Sequence, residues 1–121
     1  MKKDNLGQVK KVFDVLEDDI NEILVGAFEG GSNYWASKVS VVDDDYKGGE
    51  YASDVVGLGG RLIIKTLDND TKTLTQAMMF DGIQRYVDNG GKHFPFTDGN
   101  PDAYTYDTIL QNALFWEAVY G

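Results

Sequence analysis

The run RLIIKTLDNDTKTLT, residues 61–75, constrains the fold more than any other stretch. RLIIKTL, 61–67, is rich in β-branched residues and reads as a strand. In DNDTK, Asn69 and Asp70 tolerate positive φ and Asp68 can bond its own backbone, so the chain turns there. KTLT then returns as a short strand. Two strands joined so tightly must pair antiparallel. At least part of any sheet in this chain is therefore antiparallel.

The flanking segments supply helices. In DDINEILVGAFE, 18–29, Ile20, Ile23, Leu24, Ala27 and Phe28 recur on one helical face. Asp18 and Asp19 suit its positive N-terminus, and Asp19 with Glu22 has capping-box spacing. Gly30 is placed to close the helix in a left-handed conformation. Before it, VKKVFDVL fits either a helical extension or a short strand; the Asp18–Asp19 pair favours a strand followed by a new helix. YWASKVSVV, 34–42, alternates Trp35, Ser37, Val39 and Val41 against Tyr34, Ala36, Lys38, Ser40 and Val42, which is a strand pattern. YASDVVGL is short enough for one or two helical turns. Thr75 can cap QAMMFDGIQRYVDN, whose apolar face carries Phe80, Ile83 and Val87 with Met79 and Tyr86 alongside. Gly90 and Gly91 end it. Tyr104 to Tyr120 reads as the last helix.

Three substantial helices and about four short strands make one α+β domain over residues 1–121, with a small, largely antiparallel sheet. The length suits a single core. No apolar run reaches the roughly 18 residues a membrane helix needs. Neither a secretory leader nor a cysteine is present, so the expected location is the cytoplasm. The net charge of −9 argues against direct nucleic-acid binding. It suits solubility, and also a basic partner.

Few residues offer chemistry. His93 is the sole histidine, with neither a cysteine nor a nucleophile elbow to accompany it. That argues against a catalytic triad and a zinc site. DDD at 43–45, DNDTK and DGNPD, 98–102, lack the spaced ligands of a calcium loop and read as turns. GLGG, 57–60, and the other glycine pairs lack the strand–loop–helix setting and the Lys-Ser/Thr of a phosphate loop. No metal or cofactor is therefore expected.

EGGSNYW, 29–35, is harder to dismiss. A helix stop and a strand start account for its glycines and for one buried ring. Glu29, Ser32, Asn33, Tyr34 and Trp35 also form a candidate ligand site, with rings for stacking and polar groups for hydrogen bonds. Arg61 or Arg85 would hold a phosphate. At the other end, ALFWEAVY puts large apolar groups on more than one face of a helix. Phe115, Trp116 and Tyr120 are accordingly candidates for a contact between subunits of a homo-oligomer.

These blocks carry a resemblance. EGGSNYW, ASDVVGLGGRLII, TLTQAMMFDGIQRYVDNGG and DTILQNALFWEAVYG resemble a family of small proteins of phages and prophages of Gram-positive bacteria. Its pattern has an EGG-x-x-YW block after the first helix and closes on I-x-Q-x-ALF-x-E-x-V-x-G. The resemblance covers about residues 18–121. Trp116 departs from it, standing where that pattern often has glycine. The resemblance implies a phage setting, in which small acidic proteins serve as accessory factors. By that context the chain is expected to be non-enzymatic and to act against host defence, sequestering a small nucleotide-like signal in the host cytoplasm. The alternatives are an acidic inhibitor that binds a host defence protein, and a nucleotide or phosphodiester hydrolase.

Overall fold

A computed structural model describes residues 6–7, 12–44, 46–92, 94, 96 and 101–121. The chain forms α1 (Glu17–Gly26), β1 (Ala36–Val41), α2 (Ala52–Val55), β2 (Leu62–Thr66), β3 (Thr71–Leu74), α3 (Gln76–Asp88) and α4 (Ala103–Phe115). This is an α+β architecture with three antiparallel strands in the order β1-β2-β3. The hairpin turn works as its residues require: Asn69 has φ 65°, and Thr66 closes the turn by accepting from the Asn69 N–H at 3.0 Å.

The fourth strand expected before the first helix is absent from residues 12–16, and residues 8–11 lie outside the described ones. Phe13 and Val15 instead pack against the core as irregular chain. The helix starts at Glu17, where the Asp19 carboxylate accepts the Leu16 N–H at 2.9 Å. Asp19 thus serves as the third helical residue of a cap, not as its start.

Strict alternation in β1 also fails. Ala36 pairs with Thr66 and Lys38 with Lys65, so Ser37 is an extra residue. Its hydroxyl donates to the Lys65 carbonyl at 3.1 Å. This bulge shifts the parity of the strand. Ala36, Val39 and Val41 therefore share the core face, opposite Thr66, Ile64 and Leu62.

The helices cover that face. α4 is the central element, burying Ile109, Leu110, Ala113 and Leu114. It packs against α3 at Gly82, where an added Cβ would come within 2.8 Å of both the Ala113 backbone nitrogen and the Ile109 carbonyl oxygen. Only glycine permits that approach. The Thr75 hydroxyl caps α3 as expected, accepting from Met78 N–H at 3.3 Å. The buried face of α3 centres on Met79, Ile83 and Tyr86, while Phe80 is half exposed. Among the described residues, no helix is long and apolar enough to cross a membrane.

Candidate functional site

The segment after α1 does not end as a glycine cap. It widens into one π-helical turn, Ala27–Gly31, in which Ser32 N–H reaches the Ala27 carbonyl at 2.8 Å. Gly30 has φ 162°, outside the left-handed region expected of it. Gly31 is required by proximity: an added Cβ would lie 2.7 Å from the Ala103 carbonyl oxygen at the start of α4. The second glycine of EGG lets the first helix touch the last.

That contact delivers EGGSNYW onto α4. Asp107 is buried and gathers four donors. Its Oδ1 accepts from Ser32 Oγ at 2.8 Å and from Trp35 Nε1 at 2.7 Å. Its Oδ2 accepts from the Tyr34 hydroxyl and from Gln111 Nε2 at 3.0 Å. All four of these donors are neutral, and their hydrogen bonds offset the burial of the carboxylate. Burial and Asp107 together push the Tyr34 hydroxyl up to about 12, which keeps it a donor.

Gln111 extends the network to the tail. Its Oε1 accepts the N–H groups of Val119 and Tyr120, both at 2.7 Å. Its Nε2 donates to the Tyr120 carbonyl at 3.2 Å. α4 therefore ends at Phe115, five residues before the expected Tyr120. Trp116 closes it at φ 71°, with its N–H on the Asn112 carbonyl. This left-handed position is one where glycine is the default residue.

The expected site residues separate accordingly. Ser32 and Trp35 are fully buried. Trp35 cannot offer a free platform, because Tyr120 stacks on it with centroids 5.3 Å apart and planes 3° from parallel. Phe115 meets the same ring edge-on at 5.4 Å. The apolar groups assigned to a subunit contact are thus used within the chain at Phe115 and Tyr120; Trp116 alone is largely exposed. Glu29 and Asn33 are exposed, and Tyr34 is 47 % exposed.

The arginines do not join them. Arg61 stands opposite Val42, whereas Trp35 is opposite Leu67, so about 20 Å of sheet separates them. Arg85 lies over the Trp116 ring at 3.8 Å and donates to the Asn112 carbonyl at 3.0 Å. His93 lies outside the described residues.

An open cleft remains beside the buried network. Its volume is about 690 Å³, and Gly30, Gly31, Tyr34, Tyr104, Gln111 and Val119 contribute to its walls, with Asp107 at its floor. A second cavity of about 450 Å³ continues it across α4 toward Lys92 and Asn89; the two share Tyr104, Thr108 and Ala118. Tyr104, 75 % exposed, stands between them. Among the described residues, no group of three or more His, Cys, Asp or Glu could hold a metal ion.

Sequence reasoning missed Asp107 and Gln111. The signal was available: two polar residues four apart on a helix whose buried residues also include Ile109, Leu110, Ala113 and Leu114. No protein-family model, no curated protein and no solved structure matches the chain.

Proposed function

We propose that this chain is a non-enzymatic binding protein that captures a small nucleotide-like molecule in the cleft between the π-helical turn and the tail. The observation that carries this reading is the pair of exposed tyrosine rings, Tyr34 and Tyr104, lining one cleft above a polar floor. Aromatic rings at the mouth suit a planar base, and a polar floor suits its hydrogen-bonding edge. The Asp107 carboxylate repels phosphate, and the neighbouring cavity sets Lys92 against Asp102 and Glu117, so the reading rests on the base and leaves the phosphates of such a ligand toward solvent. In a phage setting, this binding would sequester a signal used by host defence.

The test is a thermal-shift and calorimetry panel of cyclic nucleotides and ADP-ribose derivatives. A ligand held at 100 times its Kd stabilises by about 2.7 kcal/mol, a rise on the order of 10 °C in Tm. Tyr104→Ala, on an exposed ring, should abolish the shift and leave the ligand-free Tm unchanged. Absence of any shift or heat across the panel would remove this reading and leave the protein-binding alternative.

A further inference from the structure

The outer face of the sheet is out of character with the rest of the molecule. The chain carries 20 acidic and 11 basic residues, yet none of its three strands contains an Asp or a Glu. β2 alternates buried Leu62, Ile64 and Thr66 with exposed Ile63 and Lys65. Lys38 sits directly opposite Lys65 across the β1–β2 pair, and Ser40 opposite Ile63. Arg61, exposed and two residues before Ile63, continues the row. Thr71 and Thr73 complete the face from β3. Like charges placed directly opposite destabilise a sheet, so the Lys38–Lys65 pair costs folding energy unless an anion covers it.

The complementary surface is on the same chain. Asp18, Glu22, Val25 and Glu29 fall at helical spacing on one stripe of α1 and its π-helical continuation, and all four are exposed. The stripe spreads its carboxylates over about 16 Å around Val25, which is 37 % exposed. The sheet face sets Lys65 and Arg61 about 13 Å apart around Ile63, which is 36 % exposed. Each surface is an aliphatic centre with charge on both sides, and the charges are opposite.

We infer that the outer sheet face docks the α1 stripe of a second copy of this chain. The two surfaces differ, so a contact that engages one pair at a time is heterologous, and it either closes into a ring or runs on as a chain of subunits. Three strands by 13 Å is a patch on the order of 200 Å², far below the roughly 800 Å² per partner of a stable complex, so the association is weak and salt-sensitive. A nucleic-acid strand fits less well: the face has three cations and no aromatic ring for base stacking.

Sedimentation at rising concentration tests the inference, using two folded variants checked by circular dichroism. Lys38→Glu/Lys65→Glu reverses the sheet face, and Asp18→Lys/Glu29→Lys reverses the stripe while keeping the Glu22 carboxylate that accepts the Tyr106 hydroxyl. Wild type should exceed monomer mass above about 100 µM at low salt and return to monomer at 0.5 M salt. Each variant alone should stay monomeric, and an equimolar mixture of the two should associate again. A wild type that is monomeric at low salt, or one whose association survives either reversal, overturns the inference. Binding of a single-stranded oligonucleotide that is lost in Lys38→Glu/Lys65→Glu, without self-association, would assign the face to nucleic acid instead.

Discussion

Trp35 and Trp116 are the two tryptophans of the chain, and each sits where a regular element meets irregular backbone. Trp35 precedes β1, is fully buried, donates its indole N–H to a carboxylate and is sandwiched by intrachain rings. Trp116 follows α4, is 71 % exposed, and holds a left-handed backbone under an arginine. One is fixed by partners far away in sequence; the other is held by its own helix end and one neighbouring helix. The difference teaches that a polar network fixes the position of the buried ring inside an apolar core, while the exposed ring contributes only through its own helix end.

The largest break in that comparison comes from Asp107→Ala. It leaves the Trp35 N–H and the Ser32 hydroxyl without their acceptor inside the core, and each buried donor left unpaired costs about 1–3 kcal/mol. A loss of about 3–5 kcal/mol in urea unfolding is expected, a large share of a typical domain's total. Asp107→Asn keeps one acceptor and should lose about half as much. A loss below about 1 kcal/mol for the alanine variant would show that Trp35 is held by packing alone. Trp35→Phe is the next step down. It removes one hydrogen bond and part of the ring volume beneath Tyr120, for about 2–3 kcal/mol.

The sequence carried the local half of this network. The helix periods, the Thr75 cap, the Asn69 turn and the antiparallel hairpin depend on neighbours in the chain, and the structure keeps them. The Ser37 bulge was not legible, because it depends on how Lys65 and Thr66 meet β1 across about 28 residues of chain. Nor was the role of EGGSNYW. Its serine and tryptophan read as a ligand's partners, because the carboxylate that holds them both, Asp107, lies more than 70 residues away. The end of α4 was hidden for a related reason. Apolar residues run on past Phe115, and the left-handed turn at Trp116 with the capture of the tail by Gln111 stops the helix.

At Trp116 the effects are smaller and compare two substitutions. A non-glycine residue in the left-handed region costs about 1–2 kcal/mol, and the Arg85 contact returns about 0.5–1. Trp116→Ala keeps the backbone cost and loses the contact, so it should destabilise by about 0.5–1 kcal/mol. Trp116→Gly loses the contact but relieves the backbone, and should be more stable than the alanine variant by about 1 kcal/mol. Equal stability of the two variants would mean that the left-handed turn is not what closes α4.

The smallest effect is a pH dependence that links the exposed and buried halves through Tyr34. Its ring is half exposed, yet its hydroxyl donates to Asp107, and burial with that carboxylate raises it from 10.0 to about 12. The folded chain then holds this proton more tightly than the unfolded chain does. The contribution is complete below pH 10 and is lost as pH rises through about 12. Tyr106, raised to about 12 by burial and by the Glu22 carboxylate that accepts its hydroxyl, titrates in the same window. The informative quantity is therefore a difference between variants. The advantage of wild type over Tyr34→Phe, held under about 1 kcal/mol by solvent screening at the half-exposed ring, should shrink between pH 9 and pH 12 in parallel urea titrations. A constant advantage across that range would show that the Tyr34 hydroxyl contributes nothing through its proton, and that Trp35 and Ser32 alone seat the block on Asp107.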